Sequence, residues 1–208
     1  MKEILLSPNQ SKKLAELYQT MEEQYGAVAA KIGLTCAGCP DNCCDSYFLH
    51  YTYAEWAYLW EGLRTLDPAL LALIIDRSQD YQAESRHLLN HGERPQLMCP
   101  LNEEGRCALY SHRLMICRLH GIPAAMTRPD GKSLLFPGCF RCQEQVRAKY
   151  EVEDDAPRMD RTGLLARVAA LESELLGGRR HLYPKVKRTI AEMIAGGPPR
   201  IDKPFCER

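Results

Sequence analysis

The sequence predicts a mainly α-helical fold in which helices surround an irregular, cysteine-rich metal-binding centre. Three observations predict it. Apolar residues recur at three- and four-residue spacing over most of the first ninety residues and again after residue 160, the period of amphipathic helices. Between about 93 and 140 that period is broken by Pro95, Pro100, Pro123, Pro129 and Pro137 with scattered glycines. Nine cysteines lie between Cys36 and Cys142, and the tenth, Cys206, stands apart near the end.

The elements follow in order. Ser7 and Pro8 supply an N-cap and a first-turn proline. Leu14, Leu17, Tyr18, Met21, Tyr25, Val28 and Ile32 then form an inner stripe that stops at Gly33. After the CAGCPDNCC loop, SYFLHY at 46–51 reads as a short β-like run. Thr52 and Glu55 match a capping box, and Trp56, Leu59, Trp60 and Leu63 give the buried face of the helix behind it. Asp67-Pro68 restarts a helix that runs to about Leu89, with Asn90 and Gly92 to end it. Leu164, Leu165, Val168, Leu171, Leu175 and Leu176 make another that ends at Gly177-Gly178, and Pro184 to Ala195 reads as the last. The charged stretch EVEDDAPRMDR at 151–161 reads as a solvated linker. It places a boundary between a cysteine-cluster domain over 1–150 and a helical extension over 151–208, which is free to pack on the same core.

Composition narrows the function classes. Lys plus Arg and Asp plus Glu are both 27, so no overall positive field draws the chain to nucleic acid or anionic lipid. No run approaches the ~18 apolar residues of a membrane span. The opening MKEILLSPNQSKKLAELY has neither a signal-peptide core nor a cleavage site. These features predict a cytoplasmic protein, whose thiols are kept reduced. Ten cysteines in 208 residues is about 5%, below the roughly 8–10% of a secreted disulfide scaffold. Disulfides are therefore not expected.

The thiols point to metal instead. Cys36 and Cys39 form a C-x2-C pair, which lets a tight turn offer two thiolates to one ion. Cys43 and Cys44 follow as a doublet, Cys99, Cys107 and Cys117 come later, and Cys139 and Cys142 form a second C-x2-C pair. All-sulfur ligation selects zinc or an iron–sulfur cluster over the oxygen-seeking cations. Either takes about four such ligands, so nine exceed one site and nearly fill two. His50, His112 and His120 are weaker ligand candidates because sulfur is already in excess. Arg113 and Arg118, flanking Cys117, are placed to offset thiolate charge or to donate hydrogen bonds to sulfur. Tyr110 reads as a core aromatic, and Trp56 and Trp60 as core packing. The chain lacks H-E-x-x-H, a P-loop, G-x-S-x-G and the deaminase H-x-E with P-C-x-x-C, so no catalytic site is assigned.

The C-x2-C-x3-C-C motif of Cys36, Cys39, Cys43 and Cys44, followed by CPLNEEGRCALYSHRLMICRL, resembles the bacterial YkgJ-type cysteine-cluster family, described as a zinc- or iron-chelating domain. The resemblance covers about 36–120 and takes in Cys99, Cys107, Tyr110, Arg113, Cys117 and Arg118; Leu114 replaces a usual proline, and Ala108 a bulkier residue. It implies metal chelation, by an iron–sulfur cluster of the 4Fe–4S type or by zinc. A similar motif in flagellin lysine N-methylases implies association with protein modification. The resulting expectation is a metal-binding protein for electron transfer or for assisting a modification enzyme, with a protein partner, no nucleic acid and no membrane. The alternative is a zinc-stabilised interaction module without catalysis.

Overall fold

The structure is a computed structural model and describes residues 2–37, 39 and 43–201; Cys206 and the linking residues 40–42 lie outside them. In chain order its elements are β1 (Lys2–Glu3), α1 (Pro8–Ile32), α2 (Tyr53–Leu63), α3 (Pro68–Asn90), β2 (Asn102–Glu103), β3 (Arg106–Cys107), α4 (Met115–Leu119), β4 (Ala124–Thr127), β5 (Ser133–Phe136), α5 (Phe140–Lys149), β6 (Met159–Asp160), α6 (Thr162–Leu175), α7 (Ile190–Ala195) and β7 (Arg200–Ile201). The chain is mainly helical, as expected. It folds as two compact units, each assembled from separated stretches: residues 1–11, 42–114 and 171–208 in one, 12–41 and 115–170 in the other. The sequence places a single boundary near residue 150; spatial packing divides the chain elsewhere.

The first unit is built on α2, α3 and α7. The residue types of α2 leave it little choice but burial: Tyr53, Trp56, Leu59, Trp60 and Leu63 enter one core with Ile74, Leu101, Leu109, Leu114, Leu176, Val186, Met193 and Ile194. Both tryptophan indoles donate to the Met193 carbonyl, at 2.9 Å from Trp56 and 3.0 Å from Trp60. A helix buried this deeply must satisfy the four N–H groups of its first turn without water. Glu172, only 4% exposed, accepts from Tyr53 N–H at 3.0 Å and from Ala54 N–H at 2.8 Å. Thr52 Oγ1 takes Glu55 N–H at 3.1 Å, and the Thr52 carbonyl takes Trp56 N–H at 3.3 Å. Arg180 Nε stands 3.2 Å from the Glu172 carboxylate. Burial raises the Glu172 pKa, and the helix N–H groups and Arg180 work against that rise. The carboxylate thus joins α6 to α2.

The second unit holds most of α1, with α4, α5 and a three-stranded sheet in the order β5-β4-β6. β4 pairs antiparallel with β5 from Ala124–Phe136 to Thr127–Ser133, and parallel with β6 through Ala124–Met159 and Ala125–Asp160. Ser7 and Gln10 cap α1 reciprocally, and Gly33 ends it at φ +85°.

Several expectations need correction. SYFLHY is not a strand; its one ladder contact is an isolated bridge between His50 and Arg188. The last helix begins at Ile190, where Thr189 and Glu192 form a capping box, because Arg188 just before it is engaged in that bridge. The stretch 151–161 is not a solvated linker. Ala156 and Met159 are buried at 5% and 2%, Arg161 at 9%, and β6 lies within it. Its charges surround a few apolar positions that the sheet requires, and local charge density hides such positions.

Replacing Glu172 with Ala leaves two buried backbone N–H groups without their acceptor and removes the ion pair with Arg180. The expected loss of stability is about 3 kcal/mol, with a smaller loss for Glu172→Gln, which keeps one acceptor oxygen. Urea unfolding of the three proteins measures this; an unchanged midpoint in Glu172→Ala would mean that the carboxylate does not cap α2.

Candidate metal centre

The division into units separates the cysteines. Cys43, Cys44, Cys99 and Cys107 belong to the first unit; Cys36, Cys39, Cys117, Cys139 and Cys142 belong to the second. The loop of four thiols is therefore shared between two bodies, with Cys36 and Cys39 in one and the doublet in the other. None of the nine described cysteines is in a disulfide.

In the first unit, Cys43–Asp45 form a 3-10 turn that is tied to the later motif at two points. Cys99 N–H donates to the Cys44 carbonyl at 2.9 Å, and Gln96 Nε2 donates to Asp45 Oδ2 at 2.9 Å. From Cys99 the chain enters the β2–β3 hairpin, which the sequence reading missed. Glu104 and Gly105 turn it with φ +49° and +86°, and Asn102 Oδ1 accepts from Gly105 N–H at 2.9 Å. Two consecutive left-handed residues suit a two-residue hairpin loop. The NEEGRC segment, with Asn102 three residues before Gly105, was the available signal. The hairpin places Cys107 directly across from Asn102, and the Cys99 carbonyl accepts Asn102 N–H at 2.9 Å. One short structure thus gathers Cys99, Asn102 and Cys107 beside the doublet.

The environment favours a thiolate there. The Cys44 pKa is lowered to about 6, first by a hydrogen bond from the Cys43 side chain, then by Asn102 and the Arg113 charge, against burial and Asp45. Asn102 acts on Cys44 as a hydrogen-bond donor, and its buried Nδ2 has no other partner. Cys99 and Asn102 also line an open depression of about 440 Å³, with Arg77, Asp80, Tyr81 and Glu84 on the same wall. The thiol region is thus open to solution. Arg113 acts on the doublet, although the sequence reading paired it with Cys117. Its guanidinium stacks 4.9 Å from the Tyr110 ring. Tyr110 is 59% exposed, so it is not the core aromatic expected of it.

In the second unit, Cys36 and Cys39 sit on a turn in which Cys39 N–H meets the Cys36 carbonyl at 3.2 Å. Cys139 is the N-cap of α5 and Cys142 lies in its first turn, wholly buried with Ile32, Val146 and Ala156. Gly138 allows this approach. It has φ +86°, and a Cβ added there would stand 2.7 Å from the Gly121 carbonyl oxygen and 3.2 Å from Cys142 Cβ. Burial, then the charge of Cys139, pushes the Cys142 pKa up to about 11. Cys117 is half-buried on α4. Arg118 beside it is paired with Glu22 and stacked 4.6 Å from the Tyr18 ring.

The histidines are all placed in packing roles. His50 is 2% exposed with Nδ1 4.0 Å from Glu55; His112 stacks on Tyr58 at 4.5 Å; burial, then the charge of Arg161, lowers the His120 pKa. Trp56 and Trp60 are core residues, as read from sequence. Among the described residues no three of His, Cys, Asp or Glu are arranged closely enough to hold a metal ion, and no helix is long and apolar enough to cross a membrane. No family model, curated protein or solved structure matches the chain.

Thiol reactivity of the metal-free chain should follow these environments. Alkylation of Cys44 by iodoacetamide, scanned from about pH 5 to pH 9, should rise through pH 6 and then level off, because only the thiolate reacts. Cys142 should stay unlabelled throughout. Peptide mass spectrometry reads both; a Cys44 rate still climbing at about pH 8.5, as for an ordinary cysteine, would contradict the environment described.

Proposed function

We propose that the chain is a thiolate metal-binding protein that holds an iron–sulfur cluster or zinc through its clustered cysteines, and serves electron transfer or a protein-modifying partner enzyme. The observation that carries this reading is the Cys99 N–H to Cys44 carbonyl bond. It joins two motifs more than fifty residues apart and sets the doublet beside the Cys99–Cys107 hairpin.

The donor types present suit such a group. In this reading Cys43, Cys44, Cys99 and Cys107 are the four sulfur ligands that either centre takes, and the ion draws them together, since as they stand they are not close enough to hold it. Asn102 brings a buried N–H to Cys44, and Arg113 brings positive charge to it. Hydrogen bonds and charge directed at sulfur stabilise thiolate and tune a bound cluster's potential. The order of the two motifs also agrees with the resemblance to YkgJ-type proteins, whose chelating role this reading extends to the present chain. An iron–sulfur cluster would supply one-electron chemistry; zinc would supply folding free energy.

The irregular backbone around the hairpin favours the second reading, a zinc-stabilised interaction module. In that case metal holds Cys43–Asp45 against Cys99–Cys107 where regular structure does not.

Metal and acid-labile sulfide analysis of anaerobically produced protein, read with its visible spectrum, tests both. A brown protein with sulfide supports the cluster, and a colourless one with stoichiometric zinc supports the module. Protein that retains neither metal, nor takes it up when reconstituted under reducing conditions, overturns the proposal. Cys107→Ser should lower the content by one centre.

A further inference from the structure

A hydrogen bond links the two C-x2-C segments in the second unit. Arg141, between Cys139 and Cys142, donates from Nη2 to the carbonyl of Ala37, between Cys36 and Cys39, at 3.2 Å. The centre of one pair is thereby hydrogen-bonded to the centre of the other across more than a hundred residues. The packing agrees: Leu34, at the entry to the first pair, and Cys139, at the start of the second, both lie against the buried cluster of Ile32, Cys142, Val146 and Ala156. The other guanidinium nitrogen, Arg141 Nη1, is buried with no partner. A buried cationic N–H without an acceptor is costly unless an anionic group comes to it.

We propose that Cys36, Cys39, Cys139 and Cys142 form a second metal site, a tetrahedral four-thiolate zinc site, distinct from the centre built on Cys43, Cys44, Cys99 and Cys107. This deepens the proposed function and rests on its premise that the clustered thiols are ligands. Two C-x2-C turns supplying one zinc is the arrangement that such spacing serves, each turn giving two sulfurs to one side of the ion. Ligation replaces four S–H bonds with four Zn–S bonds and sends four protons to solvent, leaving a site of net charge −2. Arg141 Nη1 is the donor that meets this charge. Cys36 is exposed and the four thiols are not drawn into a group as they stand; ion binding draws the Cys36–Cys39 turn toward α5, to which Ala37 is already tethered. Gly138 is required for the same reason, since it seats Cys139 and Cys142 against the Gly121 backbone.

The test is the metal content of the full chain, purified anaerobically, for wild type, Cys36→Ser, Cys139→Ser, their double variant, Cys107→Ser, and Cys107→Ser combined with Cys139→Ser. Serine is favoured at a helix N-cap, where Cys139 stands, and Cys36 is exposed, so at least one of the two substitutions leaves the fold intact. Cys36→Ser and Cys139→Ser should each lose the same one equivalent of zinc, and their double variant should lose no more than either alone. The loss caused by Cys107→Ser should be separate, so that its combination with Cys139→Ser loses both. If Cys36→Ser and Cys139→Ser keep the wild-type content while Cys107→Ser does not, the second site is refuted and the first centre stands. If Cys107→Ser and Cys139→Ser remove the same equivalent with no further loss on combination, the thiols share one site and the division is refuted. Wild-type protein without metal would remove the proposed function itself, and the second site with it.

Discussion

A single backbone hydrogen bond, from Cys99 N–H to the Cys44 carbonyl, turns two separate cysteine motifs into one place. Thiols can share an ion only if their Cα atoms are held within a few ångströms by something other than the ion, or by the ion at the expense of chain entropy. Here the backbone does part of that work in advance. The 3-10 turn at Cys43–Asp45 fixes the doublet, the left-handed pair Glu104-Gly105 closes the hairpin, and the bond at Cys99 registers one against the other. The Gln96 to Asp45 contact adds a second tie. The region resembles a partly assembled clasp more than a flexible loop.

Both cysteine groups carry a buried N–H donor that lacks an ordinary acceptor, Asn102 Nδ2 in one unit and Arg141 Nη1 in the other. Well-packed proteins leave few such groups unsatisfied, and those that remain call for an explanation. A thiolate is a diffuse acceptor that tolerates long, oblique hydrogen bonds, and the proposed metal-bound thiolates would bring negative charge near both donors. The thiols themselves differ. Neighbouring donors and Arg113 bring Cys44 down to about 6, whereas burial holds Cys142 at about 11. Under the proposed metal sites the first would offer a thiolate near neutral pH, and the second would become a ligand only by losing its proton to the ion.

The scaffold around these sites depends on buried polar contacts as much as on apolar packing. Glu172 closes the first turn of α2, Arg118 is sealed between Glu22 and Tyr18, and Arg161 donates to the Leu119 carbonyl while stacking 4.8 Å from Phe136. A buried charge is tolerated only with such partners, and removing one partner is more damaging than removing both. Each unit is therefore organised by a few residues whose roles no local pattern reveals.

By itself the sequence determined the long helices and their ends, because these obey short-range rules. Ser7, Thr52 and Asp67 cap, Gly33 and Gly92 terminate, and the apolar spacing of Leu14 to Met21 or Trp56 to Leu63 states which face is buried. It also identified the cysteines as candidate ligands, since thiol number and spacing are local properties. Tertiary structure alone decided how those cysteines are shared out, why 151–161 contributes a strand despite its charge, why Tyr110 lies outside and why the final helix starts at Ile190. All but the place of Tyr110 turn on a partner distant in the chain: Cys99 for Cys44, Ala37 for Arg141, Ala124 for Met159, His50 for Arg188. Periodicity and capping act over three or four residues, whereas a contact such as that of Arg141 with Ala37, a hundred residues apart, exists only once the chain has closed upon itself.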